Sequence, residues 1–529
     1  MDEDELTQES SGDTRLAVLL AMAMFVLVVD TSLMNVSISA VVRDLDTTAS
    51  SVQSAIALEA LVSAAFILIG SKLADLMGRK LAYILGLLGY AIGALAMTLS
   101  QSLLPIVVCW AIIGGLGAAL LLPSMQSLIH GNFSGAMQRR AYALVGAAAA
   151  IAAAVGPLLG GFITTYLSWR VAFFGEVLII AVVLLGSRLV HDVPYTGSRG
   201  VDVVGALLSA TGMGGVVLGI LVWEEGGEAV GALIAAGAVA LGSLVWWLSR
   251  RKRQGKPALL DVGLFSSKYF RLGISAQTLQ QISLGGLMIA LPIYLQMVLE
   301  YDAMEAGLSI APLSLTMFAV ALLAGRKAGD RSPSRIIRMG FFLLVAGVAV
   351  LIPIVPRADS GWAMALPLAV AGAGLGLLVS QLNNYTLSPI EEERVSEAAG
   401  VNSAGGSFGL SFGLAFAGAI MLASLSLVFT QKAESSDVLV PAQQEQVADA
   451  LEQNAEVMTN THLEELLAGQ PAAVQAEIIE INTDARPIAL QIALLVPLLA
   501  ALLGLFTAFR MTRLADPEPS AAAEAMLAG

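Results

Sequence analysis

The sequence is short of nearly everything that keeps a large protein in water. Of its 529 residues only 13% are charged and 6% aromatic; one is cysteine and three are histidine. An ordinary soluble domain carries about 25% charged residues, so a soluble multidomain enzyme of this length is excluded. The lone cysteine, Cys109, lies in an apolar run, which excludes a disulfide framework and a cysteine-based metal site within one chain. His130, His191 and His462 all fall away from the middle of the apolar stretches, so no histidine is placed to act as a base there. What is present is 57% hydrophobic residue, mostly aliphatic, with 52 glycines and a mean hydropathy of +0.79. That profile is neither a disordered chain nor the alternating pattern of a membrane β-barrel. It fits lipid-facing helices with small residues where the helices touch.

A helix needs about 20 apolar residues to cross a bilayer. Fourteen stretches qualify, near 16–40, 52–74, 81–100, 104–128, 141–165, 171–190, 202–223, 228–249, 272–299, 304–325, 336–356, 362–386, 399–429 and 487–510. The predicted fold class is therefore an all-α integral membrane protein. The first residues, Met1 to Thr14, are acidic and carry no positively charged leader, so they do not read as a secretory signal peptide. With alternating loops, only Arg43, Arg170, Arg357, Lys432 and Arg486 of the 28 basic residues fall on the face opposite the termini. This asymmetry predicts that both termini are cytoplasmic, in the plasma (inner) membrane. The net charge of −13 is equally uneven: residues 430–486 hold eleven acidic residues against Lys432 and Arg486, and so contribute −9 of it. This acidic segment is expected outside the cytoplasm. Val447 and Leu451, Leu463 and Leu467, and Val474 and Ile478 recur at helical spacing and predict two or three short surface helices, broken at Pro441, Gly469 and Pro471. A solvated cap is the plain reading; a lid or docking site is the alternative.

One loop pattern occurs twice, 255 residues apart: Gly70-Ser-Lys72-Leu-Ala-Asp75-Leu-Met-Gly78-Arg79-Lys80 and Gly325-Arg-Lys327-Ala-Gly-Asp330-Arg331-Ser-Pro-Ser-Arg335. The offset predicts two six-span halves, 16–190 and 256–510, with two linker spans in 191–255 and short cytoplasmic tails at 1–15 and 511–529. Parallel six-span repeats are a transporter architecture. Asp75, at a membrane interface beside Arg79 and Lys80, reads as part of a gate whose ionic contacts form and break as one face closes and opens.

Ionisable residues deep in a bilayer are costly, and each is a functional candidate by default. Asp30 in the first span, Glu59 in the second and Glu176 in the sixth qualify, and no Lys or Arg lies deep in any span to pair with them. They are the candidates for loading and releasing a proton. Glu176 has one local alternative, a pair with Arg170. In the fifth span, Gly156-Pro157-Leu-Leu-Gly160-Gly161 combines a helix-bending proline with a face open to close approach. Gly405, Gly409 and Gly413 form a second small-residue stripe. Asn35, Gln277, Gln281 and Asn384 are candidates for lining a central cavity, with Met288, Phe408 and Phe412 as apolar walls; the alternative is interhelical hydrogen bonding.

Four of these pieces together resemble the fourteen-span drug:proton antiporter family of the major facilitator superfamily. The loop Gly70–Lys80 is similar to the signature between spans two and three, and Gly156–Gly161 to the exporter motif of span five. Asp30-Thr31 with Asn35 resembles the first-span motif, and Ser168-Trp169-Arg170 with Phe173-Phe174 the start of span six. The resemblance covers nearly the whole chain. It implies alternating-access efflux of amphipathic or lipophilic compounds by proton antiport, with membrane lipid, protons and a small-molecule substrate as partners. It implies no cofactor, no metal, no ATP, no nucleic acid, and a monomer. Two departures imply rearranged coupling: Ala111 and Gly114 stand where the family has arginine and glutamine, and Glu176 where many members have asparagine. Export of one endogenous metabolite or lipid, or a non-transporting receptor on the same fold, are the competing readings. A G-x-S-x-G match at Gly405–Gly409 has no histidine near mid-span to serve it, and no G-x-x-x-x-G-K-[ST] loop is present, so an intramembrane hydrolase and an ATP-driven pump are set aside.

Overall fold

In a bilayer the usual inside-out pattern is inverted: apolar side chains face lipid, and small residues let the helices meet. The third span shows this plainly. Leu81, Leu85, Leu88, Ile92, Leu95 and Leu99 are exposed along one stripe, while Tyr83, Gly86, Tyr90 and Gly93 are buried on the other. The computed structural model describes residues 13–133, 135–192, 202–222, 229–256, 258–326, 332–358, 360–390, 395–436, 438–439, 444, 447, 463–464 and 467–515. Lys327 and Asp330 of the second loop, residues 1–12 and 516–529 of the tails, and 24 of the 57 residues of the acidic segment, Leu451 among them, lie outside them.

Among the described residues, fourteen helices are long and apolar enough to cross a membrane. They are α1 (Thr14–Leu45), α2 (Ala49–Met77), α3 (Arg79–Leu99), α4 (Leu103–Ile129), α5 (Gly135–Tyr166), α6 (Trp169–Gly186), α7 (Val203–Leu221), α8 (Ala229–Arg253), α9 (Lys268–Met297), α10 (Ala303–Arg326), α11 (Pro333–Ile354), α12 (Ala365–Leu387), α13 (Val395–Glu434) and α14 (Ala472–Met511). Each expected span has its helix, with two differences. First, α4 opens on a π-helical stretch, Ile106–Gly114. Second, α14 starts at Ala472 and breaks at Leu494, two residues before Val496-Pro497. Residues 472–486 are therefore the first turns of the last span rather than a separate surface helix. Their buried stripe, Ile478, Ile481 and Ala485, packs on α13, which itself runs out to Glu434, and Lys432 of α13 meets Asp484 at 2.8 Å.

The helices pair identically in the two halves. In the first, α1 packs on α5 and α6, α2 on α4, and α3 on α4 and α6. In the second, α9 packs on α13 and α14, α10 on α12, and α11 on α12 and α14, each partner shifted by eight. Even the closest approaches repeat. A Cβ on Gly117 would lie 2.7 Å from the carbonyl oxygen of Gly86, and one on Gly374 would lie 2.6 Å from that of Gly340. The halves meet through α2 against α13 and α5 against α10. Hydrogen bonds joining them are Ser411 Oγ to the Ala57 carbonyl (2.8 Å), Ser39 N–H to Gln296 Oε1 (3.1 Å) and Met304 N–H to Thr165 Oγ1 (3.0 Å). All three run from mid-span to the face opposite the termini, so that far face is closed.

The remaining two helices form a hairpin outside the halves. α7 rests on both α2 and α13, whereas only 11% of the α8 window is buried, the least of any span. Asp202 secures the hairpin. Its carboxylate caps α7 through Gly205 N–H (3.0 Å) and accepts from Trp247 Nε1 of α8 (2.9 Å) and Leu259 N–H of the next segment (3.1 Å).

The α3–α4 contact leaves no room for a side chain. Gly117→Val should destabilise the protein by about 1–3 kcal/mol through overpacking, whereas Gly146→Val, whose Cβ meets nothing within 4 Å, should be much milder. Thermal unfolding of the two purified variants in one detergent checks this.

Candidate functional site

The three mid-span carboxyls come from helices far apart in sequence, and the first half folds them together. α1 brings Asp30, α2 Glu59 and α6 Glu176; they are 0%, 7% and 2% exposed. Asp30 is the best connected of the three. Two neutral donors serve it. Tyr90 of α3 gives its hydroxyl to Oδ2, and Trp110 of α4 gives its indole N–H at 3.0 Å to Oδ2 and 3.2 Å to Oδ1. The π-helical stretch that holds Trp110 also holds Ala111, which is buried and contributes no charge from its own position. An indole N–H thus does for Asp30 part of what a guanidinium would, without the charge. Glu176 has neither oxygen hydrogen-bonded. Its local alternative is not realised: Arg170 pairs with Asp44 at the far end of α1 and also donates to the Ser100 carbonyl.

Sequence reasoning missed Tyr90 and Trp110. The available signal was that a hydroxyl or indole N–H deep in a bilayer needs an acceptor, and few acceptors lie at that depth. Trp110 also begins an aromatic column. It meets Phe173 edge-on at 6.5 Å, Phe173 meets Trp169 at 6.1 Å, and Trp169 Nε1 donates to Asp44 at 3.0 Å. The column thus links the Asp30 carboxylate to Asp44 at the far end of α1.

The loop after α2 is held within its own half. Asp75 meets Arg79 at 3.4 Å. Gly70 lies so near α4 that a Cβ would stand 2.3 Å from the Ala119 carbonyl oxygen. Gly78 has φ +99°, a backbone conformation that favours glycine, and caps α3 without a side chain. The missing cap comes from the segment after α6: Asp192 sits against Gly78 and accepts from Lys80 N–H at 3.0 Å. A carboxylate there also complements the helix dipole.

The fifth-span motif works on two sides. A Cβ on Gly156 would meet Ser32, and one on Gly160 would meet Leu33 and Val36, all on α1. Gly161 and Pro157 instead face α10 of the other half: a Cβ on Gly161 would lie 2.5 Å from the Ala303 carbonyl oxygen, and one on Gly307 2.4 Å from that of Pro157. The stripe Gly409 and Gly413 packs α13 on α9 within one half. Of the four cavity candidates, Asn35 is buried with Oδ1 unpartnered, Gln277 and Gln281 lie half-buried along α13 near Gly406, and Asn384 Oδ1 accepts from Ser388 on its own helix at 2.6 Å. A small cavity of about 20 Å³ between the halves is lined by Gln53, Tyr294 and Arg486 among apolar neighbours.

Two like bundles of six helices, meeting along two symmetric seams and closed on one face, are the architecture of an alternating-access membrane transporter. Residues 20–414 match the Major Facilitator Superfamily, and the chain belongs to it. It is similar to the "Probable actinorhodin transporter" of Streptomyces coelicolor, 26% identical over 75% of this chain and 70% of that one. It is 29% identical to the "Puromycin resistance protein pur8" of Streptomyces alboniger over 75% and 80%, and 27% identical to the "Multidrug export protein EmrB" of Escherichia coli over 73% and 76%. Among solved structures, a bacterial homologue of the human lysosomal transporter Spinster, in an inward-facing and unoccupied conformation, superposes with TM-score 0.64 at 12% identity, covering 96% of this chain and 99% of that one. These likenesses and the fourteen helices make it a multi-pass membrane transporter of small molecules.

If Tyr90 and Trp110 serve the Asp30 carboxylate, removing either donor should cost about 1.5–3 kcal/mol, the range for hydrogen bonds to charged groups. In an Asp30→Asn background the cost of Tyr90→Phe should shrink. A double-mutant cycle by thermal unfolding in detergent reads this coupling; additive losses would separate the tyrosine from the carboxyl.

Proposed function

We propose that this protein is a proton-driven exporter of amphipathic or lipophilic compounds. It would work by rocking the halves 16–190 and 256–510 about the α2–α13 and α5–α10 seams, with the hairpin of 191–255 alongside. The observation that carries the reading is the carboxyl cluster, buried at mid-membrane in one half and lacking any basic partner. A transporter that runs on the proton gradient needs a group that exchanges protons with one side at a time, and a carboxyl shielded by helices on every side does this when the helices move. The relatives named for multidrug, puromycin and actinorhodin handling support export as the direction and hydrophobic compounds as cargo.

With both termini in the cytoplasm, the closed far face is the outer one. Gly161 against Ala303 and Gly307 against Pro157 then hold the outer gate shut, backbone on backbone. At the inner face Asp75 bonds within its own loop, so the loop is free to trade that contact for one across the seam when the inner face closes. The acidic residues of 430–486 would stand outside as a solvated cap on the extended ends of α13 and α14. Export of a single endogenous product is a second reading, favoured by the likeness to the actinorhodin transporter.

The test is dye efflux from proteoliposomes holding the purified chain, with a pH gradient imposed and then collapsed; ethidium is a suitable first dye. Efflux should follow the gradient, and Asp30→Asn should bring it to the rate of empty vesicles. Efflux by the unaltered protein that ignores the gradient would overturn proton coupling.

A further inference from the structure

The carboxyl cluster is unevenly provisioned. Asp30 takes both donors of the site, Tyr90 Oη and Trp110 Nε1. Glu176, 2% exposed, has two oxygens and no donor for either. Glu59 of α2, 7% exposed, is the third acid buried in this half. Around the three stand Tyr90 of α3, Trp110 of α4 and Phe173 on Glu176's own helix, none of them cationic. The basic residues of this half (Arg15, Arg43, Lys72, Arg79, Lys80, Arg139, Arg140, Arg170 and Arg188) all lie near helix ends. Three ionised carboxylates so close together, out of water and without a counter-ion, would repel one another at low dielectric, and each would forfeit its hydration. One ionised carboxylate with two hydrogen bonds, flanked by two neutral acids, avoids both costs. A neutral acid also accounts for Glu176 lacking donors, since it has no charge for them to stabilise.

Resting on the proton-driven reading above, we propose a division of labour within the cluster. Asp30 carries the site's one negative charge in this outer-closed state, and Glu59 and Glu176 each carry a proton, so that two protons are exchanged per transport cycle. The chemistry balances without a further reactant. Two protons bind to two carboxylates when the cluster meets water on one side, and both leave to water on the other. The aromatic column of Trp110, Phe173 and Trp169 runs from Asp30 toward Asp44 at the far end of α1.

Two measurements test it. The first is infrared absorption of the purified protein near neutral pH, in which neutral carboxyls have a carbonyl stretch distinct from carboxylates. Glu176→Gln and Glu59→Gln should each remove part of the neutral-acid band, while Asp30→Asn should leave it intact. Glutamine is close in size to a neutral glutamic acid, so both variants should fold. An unchanged band in both variants would overturn the proposal whether or not transport is proton-driven. The second is the substrate ratio at which net flux stops in proteoliposomes, with the membrane potential clamped at zero. One unit of pH gradient should sustain a ratio of about a hundredfold with two protons, falling to about tenfold in Glu176→Gln. A ratio of about tenfold in the unaltered protein means one proton and overturns the proposal. Absence of any gradient-driven flux overturns instead the proton-driven reading, and the infrared result then decides the protonation of the cluster by itself.

Discussion

The fold depends on how closely two helix backbones can approach in a solvent that gives them no hydrophobic reason to do so. Lipid tails are as apolar as leucine, so association rests on dispersion contact, and contact is best where side chains vanish. Gly86 against Gly117 and Gly340 against Gly374 are that condition met twice, in matching places of the two halves. Around such contacts each half becomes a rigid body. The seams between the halves use the same means at Gly161 and Gly307, but there the partner is a surface that must also separate. A few backbone contacts and short polar bonds suit a joint that opens better than a broad interlocked interface would.

Inside the first half the same solvent sets the chemistry. Water is absent, so every donor and acceptor must be matched by the protein, and the match around Asp30 is achieved without a basic residue. The π-helical stretch of α4 carries both the buried Ala111 and the indole that takes up the carboxylate. A guanidinium would have brought its own positive charge and fixed the site's balance permanently. An indole donates its hydrogen bond and brings no charge of its own.

The fourteen spans were legible because each crossing requires a long apolar run, and hydropathy reports that requirement directly. The last helix was legible only in part. Glu477, Glu480 and Asp484 made the helix at 472–486 read as a surface helix apart from the span, because hydropathy reports contact with lipid, and a helix that extends beyond the bilayer is polar where it is wet. Asp30, Glu59 and Glu176 stood out singly, since a mid-span acid is rare. Their convergence did not, because the spacing of residues within a span says nothing about which spans touch. Tyr90 and Trp110 were hidden for a related reason: an aromatic in an apolar run is ordinary until its polar atom has a partner. Asp192 shows the limit most clearly. It caps α3 from more than a hundred positions along the chain, and Gly78 alone marks only that a cap is missing.

The aromatic column between Asp44 and Asp30 bears on the cell's energy supply. A protein that stores protons at mid-membrane stands across a standing voltage, and a continuous thread of water through it would be a short circuit. Three rings packed edge to edge set apolar matter along the line from Asp30 to Asp44, and in the proposed cycle such matter would interrupt that thread and leave the conformational change as the route for the charge. A carrier built this way costs the membrane little while idle, which lets it be kept in quantity against compounds that arrive without warning.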